Sequence, residues 1–227
     1  MVTSFNAVGP SSAGQKLAGT GTLSWSHVVG ASANLLLVGF AWSGGLGSQS
    51  ATVTFNSVAM TRVATIPSNN DSAGYIDVYY LKNPSVGTFT VSISTGTGDM
   101  EGGSLSYIGH DGTNPTSVTG FGSSATASTG AITSNANSMV AGFYCCGNSF
   151  SSTSNNQRII SNLNTNGGAG NFAANDATGA ASVTLTAACT SDFWGAVGVQ
   201  IAGTGGSPVV SDVPVGYRRR RSGLLVR

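Results

Sequence analysis

Charge is what this sequence has least of. Lysine, arginine, aspartate and glutamate together make up 7% of the 227 residues, whereas about a quarter is usual for a globular protein. Cysteine and histidine are also scarce, at 3 and 2 residues. Apolar residues nevertheless reach 40%, and a disordered chain would combine few apolar residues with a high net charge. We therefore expect a folded protein whose outward-facing side chains are mostly serine, threonine and asparagine.

The three cysteines, Cys145, Cys146 and Cys189, make a poor disulfide framework because their number is odd and two are adjacent. We expect free buried thiols in a protein that folds in a reducing cytoplasm; a Cys145–Cys189 or Cys146–Cys189 bridge is the alternative. Residues 1–6 lack the basic and apolar regions of a secretory signal. The most apolar stretch, residues 33–42, is too short to span a bilayer as a helix. We therefore expect no membrane partner.

The spacing of apolar residues indicates strands. No long segment has helical periodicity, and 33 glycines disfavour helices. Polar and apolar residues alternate in residues 88–94, where Phe89, Val91 and Ile93 are expected to face the core, and again in residues 182–187. Four runs have apolar residues on both strand faces: residues 35–42, 75–81, 139–146 and 193–201. Such runs predict central strands covered on both faces, or strands whose second face meets a neighbouring subunit.

About ten strands with Gly, Asn and Ser turns predict an all-β fold, an antiparallel two-sheet sandwich of the jelly-roll type over residues 1–202. Asn56-Ser57 is expected to form a hairpin turn, and residues 164–175 a long polar loop. Residues 203–208 are predicted to be a Gly/Ser/Pro linker. Residues 209–227 then form an extended C-terminal arm that is first basic and then apolar.

The few charges are unevenly distributed. Five of the nine basic residues fall in the last ten positions, and the rest of the chain has four basic and eight acidic residues. A terminal run of arginines is ordinarily solvated, but this run is followed by apolar residues. Guanidinium groups pair with carboxylates while apolar side chains fill a groove, so we expect the arm to bind a partner protein. Contact with nucleic-acid phosphates is the less favoured alternative. The expected partner-binding residues are Arg218, Arg219, Arg220, Arg221, Leu224, Leu225, Val226 and Arg227.

Five segments in the first half of the chain carry a resemblance to known proteins. They are residues 25–27 (WSH), 35–38 (LLLV), 53–61 (VTFNSVAMT), 79–91 (YYLKNPSVGTFTV) and 105–110 (LSYIGH). These segments resemble a widespread group of β-sandwich domains found in structural proteins of tailed phages and in bacterial surface proteins. The resemblance implies a sandwich with a non-enzymatic role. The arginine arm is not part of that pattern, and the signal peptide of its bacterial members is missing. Both departures favour a phage virion protein.

No catalytic, metal-binding or cofactor-binding constellation is evident in the sequence. The two histidines, His27 and His110, belong to no catalytic motif, and the acidic residues are spread over separate segments. We therefore expect no enzymatic activity and no cofactor. Six aromatic residues would suit a sugar-binding platform, although aromatic residues on strands more often belong to the core. They are Trp25, Trp42, Trp194, Tyr75, Tyr79 and Tyr80.

These observations predict a non-enzymatic structural protein of a phage virion, assembled in the host cytoplasm. A capsid decoration or cement protein, tied to other virion proteins by its arm, is the first hypothesis. A tail or tail-fibre component, a carbohydrate-binding adhesin domain and a capsid protein whose arm touches the genome are the alternatives. A surface so poor in charge gives weak protection against edge pairing. We therefore expect a homo-oligomer, with a trimer favoured.

Overall fold

The computed structural model describes residues 1–17, 21–43, 51–69, 74–95, 98–163 and 170–204. Within these ranges the chain forms strands and no helix, which confirms the predicted antiparallel all-β class. The strands are β1 (Ser4–Gly9), β2 (Gln15–Leu17), β3 (Gly21–Val29), β4 (Ala33–Ser43), β5 (Thr52–Phe55), β6 (Val58–Ala59), β7 (Thr61–Pro67), β8 (Tyr75–Lys82), β9 (Gly87–Thr95), β10 (Asp99–Ile108), β11 (Thr116–Gly122), β12 (Thr126–Ile132), β13 (Met139–Cys146), β14 (Phe150–Thr153), β15 (Asn156–Ser161), β16 (Asn171–Thr178), β17 (Val183–Cys189) and β18 (Trp194–Ile201).

These strands form four antiparallel sheets, so the body contains two sandwiches where one was expected. The first sandwich has an inner sheet in the order β1-β10-β4-β8-β7, with β2 also paired to β10, and an outer sheet β3-β9-β5-β6. The second sandwich has an inner sheet β11-β18-β13-β16-β15 and an outer sheet β12-β17-β14. Both lie within the predicted residues 1–202.

The two sandwiches share one topology. In the first, β1-β10-β4-β8 faces β3-β9-β5-β6, which is the strand order of an eight-stranded jelly roll with β7 added at the edge. The second repeats it, with β11-β18-β13-β16 facing β12-β17-β14 and β15 as the added edge strand. The predicted jelly-roll type is therefore present twice, and the sequence analysis did not detect this repeat.

Side chains along β9 alternate between the core and the outer surface, as expected for a strand with one covered face. Val91 and Ile93 are fully buried on β9, while Thr88 and Thr90 face outward, as the alternation predicted.

Asn56 and Ser57 have φ values of 49° and 62°. Two consecutive positive φ angles define the two-residue turn whose twist suits a hairpin. The expected hairpin turn is therefore confirmed between β5 and β6.

The inner sheets of the two sandwiches pack face to face and share a core. Leu37 on β4 and Ala141 on β13 are fully buried in it. A side chain at Gly39 would overlap the ring of Phe143, so glycine is required where β4 crosses β13. β8 lies against β18, β10 against β16, and β7 against β11. By topology, β8 is equivalent to β16, and β10 is equivalent to β18. Exchanging equivalent strands converts the contact of β8 with β18 into that of β16 with β10, so an approximate two-fold axis relates the two sandwiches.

The shared core explains the runs that have apolar residues on both strand faces. One side of each run packs against its own outer sheet, and the other side packs against the opposite sandwich. The chain itself thus covers the faces that suggested a neighbouring subunit. The homo-oligomer stays a prediction, without support from these strands. The expected polar loop was wrong in part, because residues 171–175 belong to β16.

Candidate functional site

The predicted partner-binding residues 218–221 and 224–227 lie outside the described residues, which end at Thr204. The root of the arm is described, and it lies beside Met1. The Met1 amino group donates to the carbonyl oxygen of Thr204, and the Thr204 hydroxyl donates to the carbonyl of Met1 at 3.1 Å. The Thr3 amide donates to the Asn137 carbonyl, in the second sandwich, at 2.8 Å. The described chain therefore ends where the two sandwiches meet.

His110 is buried at this arm root. It forms a β-bridge with Gly203, and its Nδ1 accepts a hydrogen bond from the Gly112 amide at 3.2 Å. Burial lowers the pKa of His110, opposed by the nearby carboxylate of Asp111. These contacts position the chain end and leave the imidazole turned into the protein.

The described part of the body offers no acidic patch on which the arm could dock. The described residues include six carboxylates, three of which are buried: Asp77, Glu101 and Asp176. Of the other three, Asp99 and Asp111 flank β10, whose ten residues span about 30 Å. Asp192 precedes β18, at the end opposite the arm root. These carboxylates belong to no group of three acidic, His or Cys side chains, so this part of the protein gives the arginine run no clustered docking point.

His27 is buried between the two sheets of the first sandwich. Its Nε2 lies 3.0 Å from the Ser106 hydroxyl and its Nδ1 lies 2.8 Å from that of Ser104. The Trp25 indole donates to the same Ser104 hydroxyl at 2.9 Å. Burial lowers the pKa of His27 to about 4. A neutral imidazole that is hydrogen-bonded to two hydroxyl groups holds the sheets together.

Glu101 is buried where the inner sheets meet near β2. It faces residues of the second sandwich, and Lys16 is its partner in the register of β2 and β10. Burial raises the pKa of Glu101 to about 7, opposed by the Ser161 hydroxyl, the backbone at Leu163 and the charge of Lys16. A carboxyl group that ionises at neutral pH inside the protein makes folding depend on pH.

The Glu101→Gln variant is expected to remove part of that pH dependence. The folded-state pKa is raised from 4.5 to about 7, so the folded state binds more protons and loses stability as pH rises through this window. Full ionisation costs about 3 kcal/mol. In urea unfolding, the free energy of unfolding of the variant relative to the wild type should therefore increase by about 3 kcal/mol between pH 4.5 and pH 8. Taking this difference cancels the opposite contribution of His27. A constant difference across these pH values would contradict the assignment.

Arg158 and Asp176 form an ion pair at the interface between the sandwiches. Two guanidinium nitrogens of Arg158 donate to the two carboxylate oxygens of Asp176 at 2.9 and 2.8 Å. Asp176 also accepts hydrogen bonds from Tyr107 at 3.2 Å and from Asn156 at 3.0 Å. The Arg158 guanidinium carbon lies 3.6 Å from the centre of the Phe5 ring. Tyr107 and Phe5 belong to the first sandwich, so this network joins the two halves.

The cysteines are free and buried, as expected. Burial raises the pKa of Cys145 to about 12, which leaves no thiolate at neutral pH. The described part of the chain contains no group of three His, Cys, Asp or Glu residues that could hold a metal ion. None of its segments is a helix long and apolar enough to cross a membrane.

The aromatic residues considered for a sugar-binding platform belong to the core. Trp25, Trp42, Trp194, Tyr79 and Tyr80 are at most 8% exposed, and Tyr75 is half-buried. The platform hypothesis is therefore wrong, because these rings fill the interiors of the sandwiches.

A different surface of the first sandwich has the chemistry of a binding face. The strands of its outer sheet contain no Lys, Arg, Asp or Glu, and most of their outward positions carry a hydroxyl group. We call this surface the hydroxyl face. It consists of Thr22, Ser24 and Ser26 on β3, Thr52 and Thr54 on β5, and Thr88, Thr90, Ser92 and Ser94 on β9.

The hydroxyl face contains a shallow hollow of about 410 Å³. The turn residues Asn56 and Ser57 line it on one side. The Asn56 amide donates to the Thr90 carbonyl at 3.0 Å, and its side chain donates to the Ser85 hydroxyl at 3.3 Å, so the turn is held in place. The other lining residues are Thr54, Thr88, Phe89, Thr90 and Ser92.

Comparisons of the chain with protein-family models, with curated proteins and with solved structures found no match. The function must therefore be inferred from the chain itself. The polar side chains described above bond within the fold, whereas the hydroxyl groups of the hydroxyl face point outward. The arm was recognisable in the sequence as a terminal run of arginines, whereas the hydroxyl face was not predicted, although the alternation of Thr88, Thr90 and Ser92 with apolar residues is its signal.

Proposed function

We propose that this protein is a non-enzymatic structural component of a phage virion, a capsid decoration protein anchored by its C-terminal arm. The supporting observation is the separation of charge. Five arginines lie in the last ten residues, while the described body has no acidic patch to receive them. The arm's complement must then come from another molecule, and carboxylates pair with arginine forks in a directed, bidentate manner.

The body suits an architectural role. Its two sandwiches share a core, and an ion-pair network joins them, so the body is rigid and leaves its outer sheets for the surroundings. The described chain ends at Thr204, where hydrogen bonds with Met1 hold it to that body. A tail or tail-fibre component would use the same features, and the number of copies per particle distinguishes it from a decoration protein.

Deleting residues 209–227 is expected to leave the body folded and to abolish incorporation into the particle. The deleted segment lies beyond Thr204, outside every strand and core cluster described above. Thermal unfolding by circular dichroism would test the fold, and quantitative mass spectrometry of purified particles would test incorporation. If the shortened chain reached wild-type occupancy, the arm would not be the anchor.

A matched pair of variants tests how the arm binds. Replacing Arg218–Arg221 by four lysines keeps the charge but removes the bidentate guanidinium geometry, whereas four glutamines remove both. Loss of incorporation in both variants supports carboxylate pairing on a partner protein. Full incorporation of the lysine variant together with steep salt dependence would instead indicate nucleic-acid phosphates.

A further inference from the structure

The hydroxyl face is a regular two-dimensional lattice. The strand register places Thr22, Ser94 and Thr52 in one row, and Ser24, Ser92 and Thr54 in the next. Ser26 and Thr90 begin a third row, which the Asn56 side of the turn completes. Neighbours within a row are about 4.8 Å apart, and successive rows are about 6.8 Å apart. The lattice therefore offers hydrogen-bonding groups at repeated intervals in both directions.

The hydroxyl groups of this lattice are available to a ligand. None of the nine forms a hydrogen bond with another described residue through its side chain. The equivalent outer sheet of the second sandwich differs, because Ser128 accepts from the Gly130 amide and Ser151 donates to the Ala188 carbonyl. Each free hydroxyl is one donor and up to two acceptors. The two sandwiches thus share a topology, but part of the hydroxyl groups on the second outer sheet is already bonded within that sandwich.

The shallow hollow is the part of this lattice where a ligand would contact the protein from more than one side. Its volume of about 410 Å³ falls within the range of small-molecule sites, roughly 300 to 1,000 Å³. Thr54 and Ser92 are half-buried in it. The half-buried ring of Phe89 packs edge-on against that of Phe55, with 5.9 Å between the ring centres. Val28 pairs with Thr88 across the strands and is 55% exposed, adding an apolar contact at the rim.

We propose that the hydroxyl face and its hollow bind a neutral polysaccharide chain. An anionic ligand would require Arg or Lys, and a cation would require carboxylates, yet β3, β5, β6 and β9 contain neither. An apolar ligand would strip water from the hydroxyls without replacing its hydrogen bonds. A sugar chain has neutral hydroxyls that both donate and accept, together with C–H faces that suit Phe89 and Val28. Repeated rows match a repeating polymer better than a single sugar unit.

The test uses the full-length chain and immobilised polysaccharides. The probes are neutral glucans, mannans, galactans and N-acetylhexosamine polymers, with a polyuronic acid as the anionic probe. We expect binding to at least one neutral polymer and none to the polyuronic acid. Failure of every neutral polymer to bind, or equal binding of the anionic one, would overturn the proposal.

Two substitutions locate the binding surface. Ser92→Arg places a long charged side chain at the centre of the face and should reduce affinity by about ten-fold or more, since its charge would be desolvated by a neutral ligand. Thr90→Val removes one hydroxyl with little change of shape and should reduce affinity by about five-fold. The matched control is Thr184→Arg, an outward position on β17 of the second sandwich, which should bind like the wild type.

All three variants should have melting temperatures near the wild-type value, because the altered side chains point outward. Wild-type affinity in Ser92→Arg, or a loss in Thr184→Arg equal to that in Ser92→Arg, would place binding elsewhere. The proposal does not depend on the arm. The chain lacking residues 209–227 should therefore retain polysaccharide binding, and Ser92→Arg should retain incorporation into particles.

Discussion

Replacing Arg158 by methionine is expected to lower the free energy of unfolding by about 3 to 5 kcal/mol. Asp176 is fully buried, and its carboxylate would lose both guanidinium hydrogen bonds while keeping those from Tyr107 and Asn156. A buried charge that loses its counter-ion is far more costly than an exposed pair that is broken. Urea unfolding at constant pH measures the change.

Two further variants show whether the stranded charge is the cause. Lys82→Met also removes a cation, but one bonded to the Gly112 carbonyl and the Asn114 side chain, so its cost should stay below about 1 kcal/mol. Adding Asp176→Asn to Arg158→Met should restore part of the lost stability, because the buried group becomes neutral. A double variant as unstable as Arg158→Met alone would point to lost packing on Phe5 instead.

Produced as separate chains, residues 1–114 and 115–227 are expected to fold stably only when they are together. Each half would expose the inner-sheet face that is fully buried in the complete protein. Burial of one large apolar side chain contributes about 1.5 to 3 kcal/mol, and the first half alone would expose Leu35, Leu37, Ile76 and Val78. The cut follows the turn in which Asp111 accepts from the Thr113 amide at 2.8 Å, so it spares every strand.

Size-exclusion chromatography and thermal unfolding of each half, alone and mixed, would test this. The mixture should give a one-to-one complex that melts cooperatively, while each half alone aggregates or melts without a sharp transition. Ala141→Arg, in the centre of the inner sheet, should block the complex, and Thr184→Arg should not. Two halves that were each monomeric and as stable as the intact protein would refute the shared core.

Local strand chemistry was predictable from the sequence, whereas the partition into four sheets was not. Alternation identified β9, and runs that have apolar residues on both strand faces identified β4 and β13, because these patterns depend only on which faces are covered. Those runs do not show whether the layer packed on their second face belongs to the same chain or to a neighbouring subunit. That information lies in strand order, which periodicity does not encode.

β16 was missed because its buried face is partly polar. It contains Asn171, Asn175 and Asp176, residue types that ordinarily indicate a loop. Their partners are distant in sequence: Tyr144 donates to Asn175 at 3.0 Å, and Arg158 binds Asp176. A polar residue becomes acceptable in a strand only once such partners are known. The hydroxyl face was likewise visible as alternation, but its lattice depends on the register between β3, β9 and β5.

The place where the arm joins the body has a mechanical consequence. β18 ends at Ile201 and continues towards the arm root, and it is hydrogen-bonded to β11 on one side and to β13 on the other. A pull on the arm directed along this strand would load both ladders in shear, so many hydrogen bonds would have to break together rather than one after another. An edge strand pulled in the same direction would be held by only one ladder. Tension applied to the arm would therefore be borne by a central strand that is held by two ladders of hydrogen bonds.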